Sequence, residues 1–250
     1  MSVLALKKSN MKIGIIGAGQ IGGTLTRRLS ALGHQVSVAN SRGPETLADL
    51  AAETGAKAVS VAEAAQSGQV VIVTIPEKNI AELPRDLFAA TPDNVVIVDT
   101  GNYYPRQRDG RIDAIEAGMA ESRWVAQQLN RPVVVKAFNN IYARHLMSLG
   151  RPKGAPGRIA LPVAGDDGAA KAVVLQLVDE LGFDGVDAGS LDESWRNNLG
   201  RRFTPQTSMQ MVFDADWPRR AETESLSGAR PRTAHEALRS SPDLQFCGIV

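Results

Sequence analysis

A glycine-rich hexapeptide near the start of the chain has the composition of a phosphate-binding turn. Residues 17–22 read Gly-Ala-Gly-Gln-Ile-Gly and match the pattern G-x-G-x-x-G, directly after the apolar run Ile13–Ile16. In such a motif Gly17 permits the tight turn, Gly19 lets a pyrophosphate approach the backbone, and Gly22 lets the following helix pack against the strand. The motif therefore predicts dinucleotide binding at the N-terminus of a helix. The alternative is a glycine-rich turn that holds no ligand.

The residues after the second apolar run indicate which dinucleotide is bound. Val36–Ala39 is followed by Asn40, Ser41 and Arg42, and the nearest downstream carboxylate is Glu45. NAD sites usually carry Asp or Glu at this position, where it holds the ribose hydroxyls. A hydroxyl and a guanidinium can instead bind a 2′-phosphate, which a carboxylate would repel. We therefore expect NADP(H); the alternative for Arg42 is a surface arginine in a turn.

Polar and aromatic residues follow the later apolar runs. Ligands of open parallel sheets lie outside the carboxyl ends of the strands. Aromatic faces there could flank a planar ring, and asparagine amides could hold a carboxamide or a ring carbonyl. The alternative is that these residues pack loops and form turns. The three segments are Thr74-Ile75-Pro76, Thr100–Pro105 and Ala137–Tyr142, and the last two contain all three tyrosines together with Asn102 and Asn139.

No set of residues suited to nucleophilic or acid–base catalysis stands out. His34 is expected at the amino ends of the strands, His145 could face the site or pack on a helix, and His235 falls in the last sixty residues. Asp166 and Asp167 are interpreted as helix caps. Hydride transfer to an electron-poor ring needs alignment more than an acid or a base. This chemistry is therefore favoured over carbonyl reduction.

The elements that position these residues follow from the apolar pattern. The runs are rich in β-branched residues and do not alternate with polar ones, which is typical of parallel strands buried on both faces. They alternate with segments of helical period, which predicts a doubly wound, mostly parallel α/β Rossmann sheet. The predicted strands are Ile13–Ile16, Val36–Ala39, Val70–Ile75, Val95–Val98, Val133–Val135, Arg158–Val163 and Gly185–Asp187. The predicted helices are Gly22–Leu32, Glu45–Thr54, Asn79–Ala90, Glu121–Leu129 and one from Asp166 or Asp167 to Leu181.

The chain divides unequally. Residues 11–190 are expected to form the NADP-binding Rossmann domain. Residues 191–250 carry four prolines and no lysine, and we expect them to form a short irregular C-terminal extension or arm because prolines interrupt helices.

Composition excludes several classes of function. The 250 residues carry 28 basic and 27 acidic side chains, a net charge of +1, which gives no general attraction for nucleic acid or anionic membranes. Cys247 is the single cysteine, which excludes intrachain disulfides and metal sites built from several thiolates. No apolar run approaches the ~20 residues of a membrane span. The apolar residues at the N-terminus precede its lysines, the reverse of a secretory signal, so a cytoplasmic protein is expected. A homodimer is the base-rate expectation.

Taken together, these residues give the chain a resemblance to the coenzyme F420-dependent NADP oxidoreductases and their bacterial relatives. The cytoplasmic reductase domain of the STEAP-type metalloreductases is similar too. The resemblance covers about residues 11–195, and Val163-Ala-Gly-Asp-Asp followed by Asp187-Ala-Gly makes it specific in combination. The segments that carry it are Ile13–Gly23, Asn40–Arg42, Thr74–Pro76, Val133–Leu146 and Pro162–Gly189.

The resemblance implies direct hydride transfer between the nicotinamide of NADP(H) and the ring of F420 or a flavin. By position, the pyrophosphate would be lined by Ala18, Gly19, Gln20 and Ile21, and the 2′-phosphate by Ser41 and Arg42. The ribose and nicotinamide would be bounded by Thr74, Ile75 and Pro76, and the acceptor positioned by Asn139, the one residue considered for a catalytic role. The cofactor-binding set is completed by Gly17, Asn40, Asn102 and Ala137.

The acceptor and the reaction class stay open at this point. This chain carries Asn139 where the deazaflavin reductases carry histidine, so F420, a flavin or another small conjugated molecule are all candidate acceptors. A second reading is an NADPH-dependent reductase of a carbonyl or imine, a class in which a helical second domain supplies substrate residues. A third is an NADP sensor without enzymatic activity, or a subunit that passes electrons to a partner.

Overall fold

The computed structural model describes residues 10–131 and 133–197. Eight strands form one sheet with the order β3-β2-β1-β4-β5-β6-β7-β8. Neighbours from β3 to β6 are parallel, β7 runs antiparallel to β6, and β8 is parallel to β7. The first six strands thus have the 3-2-1-4-5-6 order of the Rossmann fold, which confirms the predicted fold class. The strands are β1 (Lys12–Ile16), β2 (Gln35–Ala39), β3 (Lys57–Ala58), β4 (Val70–Val73), β5 (Val96–Asp99), β6 (Val134–Lys136), β7 (Ala160–Gly165) and β8 (Asp184–Asp187).

Helices cover both faces of this sheet. Leu25 of the first helix packs in one apolar cluster with Ile72, whereas Val71, the neighbour of Ile72, packs in the opposite cluster with Trp124. This double burial explains why the strands do not alternate with polar residues. The helices are α1 (Gln20–Ala31), α2 (Ala48–Thr54), α3 (Val61–Gln66), α4 (Glu77–Ile80), α5 (Asp113–Glu116), α6 (Glu121–Gln128), α7 (Ala143–Ser148) and α8 (Gly168–Glu180). Shorter turns are a 3₁₀ turn at Pro44–Leu47, a π turn at Pro105–Asp109 and a 3₁₀ helix at Leu191–Asn197.

Several predicted helices are confirmed by these bounds. Helix α6 lies where it was expected, and α1 starts two residues before Gly22. Helix α8 is capped by Asp167, whose Oδ1 accepts a hydrogen bond from the backbone N of Ala170 at 2.7 Å.

Other helix predictions are wrong or incomplete. The helix expected over Asn79–Ala90 is absent, because α4 ends at Ile80 and turns follow it. Pro84 lies in the middle of that segment, and its ring and missing N–H disfavour a helix there. Helix α3 was missed, although Ser60 and Glu63 form a capping box that the sequence pattern displays.

The last described residues continue from the sheet. Leu191 is fully buried, and its backbone N donates to Asp166 Oδ1 at 3.0 Å. Arg123 of α6 pairs with both Asp166 and Asp192. The predicted arm from residue 198 onward, including His235 and Cys247, lies outside the described residues, so the boundary at residue 190 stays a prediction. Within the described ranges, no helix is long and apolar enough to cross a membrane.

Candidate functional site

The glycine turn has the shape that a dinucleotide requires. Gly17 has a φ of +110°, and a Cβ there would lie 2.3 Å from the carbonyl oxygen of Thr74. A Cβ at Gly22 would lie 1.9 Å from the carbonyl oxygen of Gly17. Both glycines are therefore needed for close backbone packing between β1, α1 and the end of β4.

Gly19 differs from its two neighbours because a Cβ there would meet no atom within 4 Å. It is the residue before α1, its side of the turn is exposed, and no side chain caps the helix in the described structure. Gln20 and Ile21 are the first residues of this twelve-residue helix, and their backbone N–H groups are not capped by a side chain of the described residues. The N-terminus of such a helix attracts anions. Ala18 lies half-buried beside them.

The turn after β2 presents Ser41 and Arg42 to solvent. Asn40 holds this turn on both sides, because its Nδ2 donates to Thr46 Oγ1 at 2.9 Å and its Oδ1 accepts from the backbone N of Arg42 at 2.9 Å. Both amide atoms of Asn40 are engaged within the protein, so Asn40 shapes the turn. Among the described residues, the Arg42 guanidinium has no hydrogen-bond or ion-pair partner, so it remains able to bind an anion.

The segment after β4 forms the neighbouring wall. The backbone N of Thr74 donates to the carbonyl oxygen of Ile16 at 2.9 Å, which fixes the segment beside the glycine turn. Thr74, Ile75 and Pro76 are each half-buried. They lie at the carboxyl edge of the sheet, where the ligands of open parallel sheets are generally found.

The loops after β5 and β6 meet through two asparagines. Asn102 Nδ2 donates to the carbonyl oxygen of Asn139 at 2.7 Å, and Asn139 Nδ2 lies 3.3 Å from Asn102 Oδ1. Phe138, just before Asn139, has a φ of +61°, an uncommon conformation for a bulky residue. The Ala137 side chain is fully buried in the core, so a contact of Ala137 with a ligand would have to be made by its backbone.

The tyrosines and histidines are divided among different places. Tyr103 is buried, and its hydroxyl accepts a hydrogen bond from the backbone N of Ile112 at 2.8 Å, which is a structural role. Tyr142 is 52% exposed and contacts the His145 ring edge-on at 5.6 Å. His34 is buried, accepts from the backbone N of Met11 and lies 2.9 Å from Glu180, at the amino ends of the strands. His34 is thus remote from the candidate site, as expected.

A buried charged cluster, not predicted from the sequence, lies at the same edge of the sheet. Lys136 is fully buried at the end of β6, and its Nζ donates to Asp99 Oδ2 at 3.0 Å and to the Gly101 carbonyl oxygen at 2.6 Å. Ser122 Oγ also donates to Asp99 Oδ2, at 2.7 Å. A charged residue that ends each apolar run, Asp99 after Val98 and Lys136 after Val135, was the available signal. We define the buried charged cluster as Glu77, Asp99, Asp109, Glu121, Ser122 and Lys136, together with Arg108, which is exposed at its edge.

Glu77 joins this cluster from the start of α4. Arg108 Nη2 donates to Glu77 Oε2 at 2.8 Å and to the Asn102 carbonyl oxygen at 2.5 Å, which ties α4 to the loop after β5. The other carboxyl oxygen, Oε1, is buried and accepts no hydrogen bond within the described part of the chain. A Cβ at Gly101 would lie 2.2 Å from this oxygen. The loop that carries Asn102 therefore packs directly on the Glu77 carboxyl.

The cluster shifts the protonation of its members. Burial raises the pKa of Glu77 to about 8; the positive charge of Lys136 opposes this rise, while Asp99, Glu121 and Asp109 add to it. Burial opposes the charged form of Lys136, but the carboxylates of Asp99, Glu121 and Glu77 raise its pKa above the ordinary value. At neutral pH the cluster therefore holds a charged lysine beside a Glu77 carboxyl that retains its proton.

A groove of about 550 Å³ runs from the glycine turn along α1. One wall is formed by the segment from Arg42 to Glu53, and the other by α7. The groove brings Gly19 and Arg42, two residues predicted for the cofactor, into one continuous surface. Its lining residues are Ala18, Gly19, Gln20, Gly23, Thr24, Arg27, Arg42, Thr46, Leu47, Asp49, Leu50, Glu53, Ala143, Arg144 and Met147.

Comparison with known proteins gives one family match. The family described as NADP oxidoreductase, coenzyme F420-dependent, matches residues 12–103. This range contains the glycine turn, the turn of Ser41 and Arg42, and the segment after β4.

Three individual proteins extend this likeness over most of the chain. The hypothetical protein SMa0349 from Sinorhizobium meliloti has a solved structure that is 32% identical, with a TM-score of 0.64 over 76% of this chain and 91% of that one. A protein from Arthrobacter sp. FB24, provisionally assigned as an F420-dependent NADP-reductase, has a TM-score of 0.60 at 22% identity and shares the fold, over 88% of this chain and 96% of its own. Metalloreductase STEAP3 of Rattus norvegicus is 28% identical over 190 residues, which are 76% of this chain and 36% of STEAP3.

The chain spans about a third of the length of the curated relatives that it matches. Its likeness to SMa0349, by contrast, extends over nearly all of that protein. Together with the Rossmann strand order and the glycine turn, the family match over the first half of the fold leads to one conclusion: the chain belongs to the NADP oxidoreductase family described as coenzyme F420-dependent.

Proposed function

We propose that this chain binds NADP(H) and transfers a hydride between the nicotinamide and a small conjugated acceptor, such as a flavin or the deazaflavin F420. The observation that carries the proposal is the joint placement of Gly19 and Arg42 in one groove. One residue leaves the backbone open to a pyrophosphate, and the other offers a guanidinium without a carboxylate partner among the described residues.

The binding half of the proposal rests on charge and shape. A 2′-phosphate carries negative charge and oxygen acceptors that suit a planar guanidinium and a hydroxyl. Ser41 and Arg42 are both exposed on a turn that Asn40 fixes in place. The N–H groups at the start of α1 would hold the pyrophosphate at the same time.

The chemical half rests on the carboxyl edge of the sheet. When bound, NADPH supplies a hydride, and a proton from solvent completes the two-electron reduction of the acceptor. Asn102 and Asn139 join the loops after β5 and β6 and would form one side of the space in which the two rings align. The buried charged cluster fixes the loop after β5, through the bonds of Lys136 to Gly101 and of Arg108 to Asn102. Rings held in alignment need little further catalysis for hydride transfer.

One observation favours a second candidate, an NADPH-dependent reductase of a carbonyl or imine. Such a reaction benefits from a general acid, and Glu77 holds a proton near neutral pH because burial raises the pKa of its carboxyl to about 8. Glu77 Oε1, however, lies against Gly101, beneath the loop that carries Asn102. This placement supports a role in holding the loop better than a role in contacting a substrate.

Turnover measurements separate the candidates. NADPH oxidation would be followed with riboflavin, FMN, FAD and F420, and in parallel with a panel of ketones and imines. The proposal expects oxidation with at least one member of the first set. Oxidation only with ketones or imines would favour the second candidate. Tight NADPH binding without turnover in either set would contradict both and indicate a sensor or an electron-transfer subunit.

A further inference from the structure

Helix α7 forms the second wall of the groove beside the glycine turn. It contributes Ala143, Arg144 and Met147 to the lining, which also contains Gly19 and Gln20 at the N-terminus of α1. Helices α1 and α7 pack on the same face of the sheet, because Leu25 and Leu146 belong to one apolar cluster. Arg144 is thus brought beside the turn by tertiary packing, although it is 125 residues from Gly19 in the sequence.

The groove contains three guanidinium groups in different electrostatic states. Arg27 is neutralised by Glu53, because its Nε and Nη2 donate to the two carboxylate oxygens at 2.7 Å each. Arg42 and Arg144 have no carboxylate partner in the ranges 10–131 and 133–197. Asp49, on the α2 side, is the remaining carboxylate of the lining. The groove therefore carries an excess of one positive charge, contributed by Arg42 and Arg144.

The Arg144 side chain is held by its own helix. Its guanidinium lies 4.9 Å from the centre of the Tyr142 ring, and its Nε lies 3.3 Å from His145 Nε2. These contacts leave the Nη1 and Nη2 groups available as donors. A guanidinium held against an aromatic ring loses less side-chain freedom when it binds a phosphate.

We propose that Arg144 is a second phosphate contact and binds the pyrophosphate of the dinucleotide from the α7 side. This inference rests on the proposed function and extends it to a residue outside the range of the family match, which ends at residue 103. Arg42 lies on the β2 side, where the 2′-phosphate is expected, whereas Arg144 lies on the α7 side of the same groove, which also contains Gly19 and Gln20, where the pyrophosphate is expected. NADPH and NADH both contain a pyrophosphate, so Arg144 contributes affinity without discriminating between them.

Nucleotide titrations test whether Arg144 contacts the pyrophosphate and Arg42 the 2′-phosphate. Dissociation constants for NADPH and NADH would be measured for the wild type, Arg144→Ala, Arg42→Ala and Arg85→Ala. Arg85 is exposed and distant in sequence from every residue of the groove. Arg85→Ala is therefore the matched control, because it removes one arginine charge outside the groove. We expect Arg144→Ala to weaken both nucleotides by the same factor, about tenfold or more, as for the loss of a charge-assisted hydrogen bond. Arg42→Ala should weaken NADPH alone, and Arg85→Ala should change neither.

Salt dependence supplies a second readout. Rising salt concentration should weaken nucleotide binding less steeply in Arg144→Ala than in the wild type, because one phosphate contact is missing. Arg85→Ala should keep the salt dependence of the wild type. Arg144→Gln, which retains a polar side chain on the helix, should behave as Arg144→Ala does. Thermal unfolding of each variant would verify that the fold is intact.

Other results of these titrations would contradict either the Arg144 inference or the proposed function. Unchanged affinities in Arg144→Ala and Arg144→Gln would overturn the inference and leave the proposed function in place. Loss confined to NADPH would overturn the pyrophosphate assignment and move Arg144 to the 2′-phosphate. A wild type that binds neither nucleotide would overturn the proposed function itself.

Discussion

At the scale of single residues, Glu77 shows how burial determines protonation. Its side chain is 1% exposed, and it is surrounded by Asp99 from β5, Lys136 from β6, Glu121 from α6, and Arg108 and Asp109 from the π turn. Four carboxyl groups share two cations in this cluster. The protein lowers the cost of this excess negative charge by retaining a proton on Glu77, whose pKa is about 8.

The Glu77 proton gives stability a defined dependence on pH. Between the ordinary pKa of 4.5 and the folded value of about 8, the folded protein keeps a proton that the unfolded chain has released. The contribution of Glu77 to stability is therefore full below pH 4.5 and is lost as the pH rises toward 8, by up to about 1.4 kcal/mol per pH unit. The glutamine of Glu77→Gln does not titrate. The free energy of unfolding of this variant, relative to that of the wild type, should therefore increase from pH 5 to pH 8.

Chemical denaturation at several pH values measures this difference. Glu82→Gln is the control, because Glu82 is exposed and its removal should leave the pH profile of the wild type unchanged. Parallel stability curves for Glu77→Gln and the wild type between pH 5 and 8 would show that Glu77 is ionised in the folded state.

Lys136 is the cation on which Asp99 depends. Lys136→Met would retain most of the volume of the side chain and leave the Asp99 carboxylate buried with Ser122 Oγ and the Gly101 N–H as its remaining partners. We expect a loss of about 3–5 kcal/mol in the free energy of unfolding. The double variant Lys136→Met with Asp99→Asn should recover part of that loss, because residue 99 then carries no charge that needs a cation. A double variant less stable than the single one would contradict this pairing.

At the scale of elements, the turn between β1 and α1 separates packing from binding. Gly22 lies against the carbonyl oxygen of Gly17, whereas Gly19 faces open space. The same methyl group should therefore have different effects at these two positions.

Alanine substitutions test this separation. Gly22→Ala must displace the backbone of the turn and should reduce the free energy of unfolding by about 1–3 kcal/mol or more. Gly19→Ala, at a φ of −72°, should leave stability within about 0.5 kcal/mol of the wild type and still weaken NADPH binding, because the methyl group would occupy the space proposed for the pyrophosphate. Thermal unfolding and NADPH titration of both variants measure the two effects. Unchanged NADPH affinity in Gly19→Ala would place the ligand elsewhere.

At the scale of the whole molecule, the sequence predicted what depends on local pattern. The buried strands, α1, α6, the Asp167 cap and the glycine turn all have short-range signals, and alternation of strand and helix led to the doubly wound sheet. The prediction of a helix over Asn79–Ala90 was wrong because Pro84 disfavours a helix there despite the apolar spacing. The buried charged cluster and the position of Arg144 in the groove were not predicted, for a different reason. They depend on which loops and helices meet across the sheet, as when Asp99 and Lys136 meet at the ends of adjacent strands.

We propose that this fold binds the 2′-phosphate of NADP(H) through the turn after β2. The most direct test is the ratio of NADPH to NADH affinity in the wild type and in Arg42→Ala, with Arg85→Ala as control. We expect the wild type to prefer NADPH, and we expect Arg42→Ala to lose about 2 kcal/mol or more of NADPH binding free energy while NADH binding is nearly unchanged. Equal losses for the two nucleotides, or a wild type that prefers NADH, would contradict it.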